Sequence, residues 1–277
     1  MPSIHDQGPA DVETIEAEFM YQYLSGTPEQ ARRTLGIATT RIGGGVAVSM
    51  RNDPTGYWSK ALGFGVTEPV TERLLERVLD VYRAEDNDFA VLQIRPDALP
   101  ADWPAVRERL GLREGGRITK LSGPADAVPP ARTDLRVGPV PPESLGEWAT
   151  VVLTTFGMTA DGLRDMLMAS AGPRRFRPFA AWDGDRIVAG ANLFIRGDVA
   201  SLNSGATAPS HRARGAQAAL VHARAQAAVA AGCRWVVAET GAPGPGETNH
   251  SLNNMHRAGL RTRYVRQNWI WEAKPDR

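Results

Sequence analysis

The sequence predicts a mixed α/β fold that is built twice, as two domains of similar topology. Helical and strand-like hydrophobic periods alternate along the chain, and the order of elements before residues 123–133 resembles the order after them. Arg109-Leu110-Gly111-Leu112-Arg113 and Arg257-Ala258-Gly259-Leu260-Arg261 also occupy the same place in the two orders, as expected of a duplication. We therefore predict domains at residues 1–123 and 135–277, with a proline-rich linker at 124–134.

Local signals place the elements of the first half. Thr27-Pro28-Glu29-Gln30 fits a capping box with proline at the first helical position, and Asn52-Asp53-Pro54-Thr55-Gly56 separates two strands. The predicted helices are Asp11–Leu24, Thr27–Leu35, Pro69–Ala84 and Trp103–Leu110. The predicted strands are Ile37–Arg41, Val46–Arg51, Tyr57–Val66, Phe89–Ile94 and Arg117–Ser122.

The second half carries the same kinds of signal. Asp183-Gly184-Asp185 predicts a hairpin turn, and Gly232 predicts the end of an alanine-rich helix. The predicted helices are Glu143–Phe156, Asp161–Ala169, Gly215–Ala231 and Ser251–Ala258. The predicted strands are Leu135–Val140, Phe179–Trp182, Arg186–Ile195, Val199–Ala206 and Arg234–Ala238, followed by a strand pair within Arg261–Ala273.

Composition excludes several classes of protein. A hydrophobic fraction of 42% and a charged fraction of 23% indicate a globular chain rather than a disordered one. The single Cys233 cannot form an internal disulfide, and no Cys/His cluster has zinc-site spacing, so no metal is expected. There is neither a run of eighteen apolar residues nor a secretion signal, so we expect a cytoplasmic protein without a membrane partner.

Charge is distributed unevenly between the halves. Residues 1–134 hold 15 basic and 20 acidic groups, whereas residues 135–277 hold 17 basic and 11 acidic groups. Such an asymmetry indicates that the second half handles an anion, although drift in surface charge would produce the same counts.

One bend, residues 207–220, combines several features of a phosphate site. A predicted strand leads into a basic turn, and a long helix begins immediately afterwards at Gly215. The first turn of a helix has unpartnered N–H groups and an electropositive end, which bind anions. Small residues there admit a phosphate, and Arg212 and Arg214 add positive charge. The alternative is a solvated surface turn before an ordinary helix.

The bend resembles the acyl-CoA pyrophosphate loop of the Gcn5-related N-acetyltransferases (the GNAT family). That loop reads Arg or Gln, two residues, Gly, one residue, then Gly or Ala. Arg212 and Gly215 match it, whereas Gln217 stands where Gly or Ala is usual. The resemblance covers residues 135–277 in element order, and it implies that the strands starting near Val199 and Arg234 diverge to admit acetyl-CoA. The implied CoA-binding residues are Ala206, Thr207, Arg212, Arg214, Gly215, Ala216, Gln217, Ser251 and Asn254.

The first half resembles the family in element order only. Where the loop should lie it has Gly65-Val66-Thr67-Glu68-Pro69-Val70-Thr71, without an arginine. Glu68 would repel a diphosphate, and Pro69 lacks an N–H donor. The first half is therefore expected to be a degenerate copy.

The family chemistry implies that an amine attacks the thioester while a base accepts its proton. Glu239 is the candidate base, and the alternative is a structural carboxylate paired with Arg234 or Arg266. Met255 stands where many members place an acidic tyrosine, so Tyr264 is the candidate acid.

The sequence leaves three alternative functions to be tested. The first is an N-acetyltransferase that moves an acetyl group from acetyl-CoA to a small-molecule amine. The second is a CoA-binding protein without catalysis, which Met255 makes a genuine alternative. The third, a nucleic-acid binder, is disfavoured because the basic bend lacks interleaved aromatic residues. A homodimer is left open.

Overall fold

Eight α-helices and eleven strands form the fold in the residues that the computed structural model describes, 12–172 and 176–273. The helices are α1 Val12–Ser25, α2 Glu29–Leu35, α3 Glu72–Ala84, α4 Trp103–Arg109, α5 Leu145–Phe156, α6 Leu163–Ser170, α7 Ala216–Ala230 and α8 His250–Arg257. The strands are β1 Ile37–Ile42, β2 Gly45–Met50, β3 Lys60–Leu62, β4 Phe89–Gln93, β5 Arg113–Pro124, β6 Arg136–Pro139, β7 Phe176–Asp183, β8 Arg186–Arg196, β9 Val199–Thr207, β10 Trp235–Gly241 and β11 Arg261–Glu272.

All eleven strands belong to one mixed sheet, in the order β1-β2-β3-β4-β11-β5-β10-β9-β8-β7-β6. The last strand of each half is inserted between two strands of the other half. Thus β11 pairs with both β4 and β5, while β5 pairs with both β10 and β11. Backbone hydrogen bonds therefore join the two halves without interruption across the sheet.

Two expectations about local structure need correction, and one predicted helix begins outside the described residues. The predicted strand pair at Arg261–Ala273 is the single strand β11, whose pairing with β5 shifts register twice. The predicted strand Tyr57–Val66 is paired only at Lys60–Leu62, because the residues before it form bends and the segment after it turns away. The first residue of the predicted helix Asp11–Leu24 lies outside the described residues.

The proline-rich segment packs more closely than its composition suggests. Ala125 and Val128 are buried in the core beneath α7 and α8, and the N–H of Ala125 donates to the carbonyl oxygen of Arg234 at 2.9 Å. Small and β-branched side chains between prolines were enough to hold this segment against the second half.

Helices cover both faces of the sheet, and alternation along β10 separates the two faces. Val237 packs with α1 and α5, whereas Val236 and Ala238 pack with α7 and α8. Helix α1 is buried along most of its length because it contacts elements of both halves, including β2, β3, β9 and α6. The chain's first described helix therefore lies at the centre of the molecule.

Candidate functional site

The parallel strands β9 and β10 separate after a short paired stretch. Their pairing begins at Val199 with Trp235 and ends at Ser201 with Val237. Beyond that point β9 continues to Thr207 with β8 on its other side only, so one backbone edge of β9 is open. Ala206 and Thr207 lie on this stretch, where the predicted divergence of the strands places them.

A buried arginine holds the irregular part of β9. Ser204 has a positive φ of 54°, and the pairing with β8 shifts register here. Arg224 of α7 donates to the carbonyl oxygens of Asn192 at 2.9 Å and Asn203 at 3.1 Å. No carboxylate bonds to it among the described residues, and burial lowers the pKa of its guanidinium to about 9. Sequence reasoning missed this residue, because a lone arginine in an alanine-rich helix looks like a solvated one.

The bend before α7 leaves the start of that helix uncapped. Gly215 has φ 78° and Ala213 has φ 64°, and no side chain of the described residues caps the helix. The first N–H to bond back along the chain is that of Ala219, to the carbonyl oxygen of Gly215 at 3.0 Å. The preceding N–H groups of α7 are therefore free to bind an anion.

Residues of the predicted linker support this bend from behind. The hydroxyl of Thr133 donates to the carbonyl oxygen of Arg214 at 2.7 Å. A Cβ added at Gly215 would lie 2.2 Å from the carbonyl oxygen of Arg132. The linker thus forms the wall of the bend, a role that its sequence does not signal.

Replacing Gly215 by alanine is expected to weaken CoA binding by at least about tenfold, because the contact with Arg132 must move the bend. The matched control is Gly232→Ala at the other end of α7, where φ is 85° and nothing lies within 4 Å of the added Cβ. Both variants lose about 1–2 kcal/mol of stability from the left-handed conformation. Calorimetric titration with CoA separates them, and equal affinities for the two variants would contradict the assignment.

The two arginines of the bend differ in their surroundings. The side chain of Arg212 is exposed and has no hydrogen-bond or ion-pair partner among the described residues, so it is free to meet a phosphate. Arg214 instead bonds to the carboxylates of Asp134 and Asp183, at 2.7 Å in the latter case. Those bonds hold the pKa of both carboxyls below the ordinary value. These bonds tie Arg214 to the strand turn and the linker beside the bend, and its contact with a phosphate stays a prediction.

The three predicted polar contacts on α7 and α8 form one hydrogen-bonded group. The amide of Gln217 donates to the hydroxyl of Ser251 at 2.9 Å, and the amide of Asn254 donates to Gln217 at 2.6 Å. Asn249 caps α8 and also donates to the carbonyl oxygen of Gly241 at 2.6 Å. These contacts fix α8 beside the start of α7 and the end of β10.

The equivalent helix of the first half is closed to an anion. The hydroxyl of Thr71 caps α3 by accepting from the N–H of Leu74 at 3.2 Å. Glu68 and Pro69 precede it and are exposed. At the start of α3 a side chain of the protein accepts from a backbone N–H group. No described side chain does so at the start of α7.

Glu239 lies on β10 beyond the divergence, with its side chain 25% exposed. Its Oε2 accepts from Lys120 Nζ at 3.1 Å and from Arg266 Nη2 at 2.9 Å. Neither cation bonds to its Oε1, and the carboxylate of Glu16 lies within hydrogen-bonding reach of that of Glu239. Arg234 pairs with Asp198 instead. The structure thus shows the pairing with Arg266, and one oxygen of Glu239 is not bonded to either cation.

Glu239 belongs to a buried charge cluster that spans both halves. Its three carboxylates and three cations are those of Glu13, Glu16, Glu239, Lys60, Lys120 and Arg266. Burial and the nearby carboxylate of Glu16 raise the pKa of Glu239. The sequence does not reveal that Glu13 and Glu16 of α1 are buried, because acidic residues in a helix usually face solvent.

The hydroxyl of Tyr264, the predicted acid, is engaged within the described residues. It donates to the carboxylate of Glu13. Strand β5 lies between β10 and β11, so two strand spacings, roughly 10 Å, separate Tyr264 from the backbone of β10. Burial and Glu13 raise the pKa of this phenol, which further disfavours proton release. Met255 is a residue of α8, and its side chain is buried in the core between this helix, α7 and the sheet.

A cavity of 470 Å³ lies elsewhere, beyond the end of β4. It is lined by Val12, Arg95, Pro96, Asp97, Thr262, Arg263 and Tyr264. None of the predicted CoA-binding residues lines it, so it is not the predicted cofactor site. No group of three or more metal-ligating side chains occurs within residues 12–172 and 176–273. Over the same residues, no helix has the length and apolar character of a membrane span.

The divergent strands β9 and β10 and the uncapped start of α7 lie within one stretch of the chain that resembles a known family. Residues 153–244 match the family model described as the acetyltransferase (GNAT) domain. Over nearly its whole length the chain shares its fold with solved GNAT proteins, one of them a tandem GNAT protein.

Solved structures share this fold over almost the whole chain. A GCN5-related N-acetyltransferase from Kribbella flavida has a TM-score of 0.62 and 17% identity, covering 97% of this chain and 98% of its own. A tandem GNAT protein from the clavulanic acid biosynthesis pathway has a TM-score of 0.58 and 14% identity, covering 98% of each chain. A GCN5-related N-acetyltransferase from Sphaerobacter thermophilus has a TM-score of 0.56 and 15% identity, covering 87% of this chain and 77% of its own. No curated protein matches the sequence.

Proposed function

We propose that this protein is an N-acetyltransferase that moves an acetyl group from acetyl-CoA to the amine of a small-molecule acceptor. The observation that carries the proposal is the uncapped start of α7 beside the open edge of β9. The helix start offers N–H donors to a diphosphate, and the strand edge offers backbone groups to an amide-containing chain. CoA contains both chemical groups.

The residues present fit such a ligand. At Gly215 a side chain would collide with the wall of the bend, and the absence of one leaves the backbone accessible. Next to it the guanidinium of Arg212, which no described residue pairs with, supplies positive charge. The side chains of Gln217, Ser251 and Asn254 are close enough to bond one another, and they offer further polar contacts to the same ligand.

In the proposed reaction the chain's own groups bind and orient the two substrates, and one of them accepts the proton of the amine. Acetyl-CoA, when bound, supplies a thioester whose acetyl group is activated toward an amine. Holding amine and thioester together provides much of the rate. An alkylamine is mostly protonated near neutral pH, so a base is needed, and we assign this role to Glu239, whose Oε1 neither cation bonds. A thiol has a pKa of about 8.5, so the leaving thiolate departs without a strong acid.

Incubating the protein with acetyl-CoA and a panel of small amines tests this function. Thiol release that depends on one class of amine supports the proposal. Tight CoA binding without release on any amine would instead favour a CoA-binding protein that has lost catalysis, for which the buried Met255 is the specific observation.

Replacing Arg212 by alanine is expected to raise the Kd for CoA roughly ten- to hundredfold, because a charge-assisted contact contributes about 1.5–3 kcal/mol. The matched control is Arg73→Ala, which removes an exposed arginine from the first turn of α3, the corresponding helix of the first half. The difference between the variants should shrink as salt is raised. Equal affinities at low salt would show that the diphosphate binds elsewhere.

A further inference from the structure

We propose that Glu16 of α1 is a positioning residue for Glu239, so that the first half completes the catalytic site of the second half. The inference rests on the proposed function, in which Glu239 is the base. It deepens that function by assigning a role to the half that has no CoA site of its own.

The two carboxylates share the same two cations. Lys120 Nζ donates to Glu16 Oε2 and to Glu239 Oε2, in the latter case at 3.1 Å. Arg266 Nη2 lies 2.9 Å from both oxygens of Glu16 and 2.9 Å from Glu239 Oε2. Each donor is thus divided between a carboxylate from the first half and one from the second.

This division determines which oxygen of Glu239 is available. Both cations contact Oε2 of Glu239, and neither contacts Oε1. Glu16 draws the same N–H groups toward α1 and so limits them to one oxygen of the base. Without the charge of Glu16, the cations would be free to bond both oxygens of Glu239, which would stabilise its ionised form and weaken it as a base.

The groups around Glu239 come from every element packed against it. They are Glu13 and Glu16 on α1, Tyr57 before β3, Lys60 on β3, Gln93 on β4, Lys120 on β5, and Tyr264 and Arg266 on β11. Burial alone would raise the pKa of Glu16, but Arg266 and Lys120 outweigh it and lower that pKa. Glu239 is raised by burial and by Glu16. Glu16 therefore stays ionised while Glu239 takes up the proton, as a base requires.

The corresponding position of the first half cannot act as a base. Gln93 is the fifth residue of β4, as Glu239 is the fifth residue of β10, and both strands follow the helix of their half. Gln93 Oε1 also accepts from Arg266 Nη2, at 2.8 Å. In the first half, whose helix α3 is capped, a neutral amide thus occupies the position that Glu239 has in the second half. Glu239 is therefore the base that Glu16 can position.

The test is the pH profile of kcat/KM for Glu16→Gln, with Glu18→Gln as the matched control. Glu18 lies on the same helix but pairs with Arg41 and Gln22, outside the cluster. For Glu16→Gln we expect the acidic limb to move at least about one pH unit lower, as loss of a nearby like charge requires. We expect kcat/KM at pH 7 to fall roughly tenfold, with unchanged Kd for CoA. Glu18→Gln should keep the limb of the wild type.

Glu239→Gln is measured alongside, and it distinguishes two kinds of failure. If Glu239→Gln removes the acidic limb but Glu16→Gln leaves it in place, the positioning role is overturned and the base stands. If Glu239→Gln keeps both rate and limb, the base assignment and the positioning role are overturned together. Should Glu16→Gln not fold, Glu16→Ala, which also removes the charge, answers the same question: a limb displaced toward lower pH supports the role, and an unmoved limb rejects it.

Discussion

Replacing Arg266 by methionine is expected to lower the free energy of unfolding by about 3–5 kcal/mol, the range for breaking a buried ion pair from one side. The guanidinium is fully buried and bonds to three carboxylates, those of Glu13, Glu16 and Glu239. Its removal leaves those carboxylates with fewer positive charges to neutralise them. The loss occurs at β11, the strand that joins the halves. We expect the melting temperature to fall by roughly 10 °C.

Denaturant titration measures this change, and Arg263→Met is the matched control. Arg263 lies on the same strand but is exposed, and it has no hydrogen-bond or ion-pair partner in the described part of the chain. A loss in Arg266→Met no greater than in the control would contradict a structural role for the cluster. Adding Glu16→Gln to Arg266→Met should recover part of the loss, since it removes a charge left without its partner.

The dependence of this loss on pH has a definite sign. Arg266 helps to lower the pKa of Glu16 below its ordinary 4.5, so this stabilisation is present above that pH and is lost as the pH falls through the lowered value. In Arg266→Met the carboxylates protonate at higher pH and lose their repulsion. The difference between wild type and variant should therefore be largest near neutral pH and should shrink as the pH approaches 4.

Most elements of the fold could be predicted from local signals, because caps and turns act within a few residues. The turn at Asp183-Gly184-Asp185 and the end of α7 before Gly232 are examples. The exchange of β5 and β11 could not be predicted in this way. It depends on which edges of the sheet are free once both halves have formed, and β11 reads like any other apolar strand.

In the candidate site, too, the features that depend on neighbouring residues could be predicted and those that depend on tertiary contacts could not. The bend at Arg212 and Gly215 was predictable because its chemistry is contained in consecutive residues. The partners that decide what those residues can do come from elsewhere: Asp134 engages Arg214, and Glu13 engages Tyr264. Such pairings depend on the tertiary fold, so the sequence could not show that Arg214 and Tyr264 are bonded to carboxylates.

Glu239→Gln is expected to lower kcat by about 10²–10⁴-fold, the usual contribution of general base catalysis. Glutamine keeps the shape of the side chain but cannot take up the proton of an attacking amine. Arg212 and the start of α7 are not altered by this change, so the Kd for CoA should stay within about twofold of the wild type. Steady-state kinetics and calorimetric titration on one preparation give both values.

A structural role for Glu239 predicts a different pattern, which makes the measurement decisive. If the carboxylate only neutralises Lys120 and Arg266, Glu239→Gln should lower stability while the remaining activity keeps the acidic limb of its pH profile. If it is the base, the limb should vanish together with the rate. The limb of the wild type should lie above 4.5, the ordinary pKa of a glutamate, because burial and Glu16 raise the pKa of Glu239. The charge cluster would then serve two purposes, since the same cations that hold the halves together leave one oxygen of Glu239 open to the acceptor.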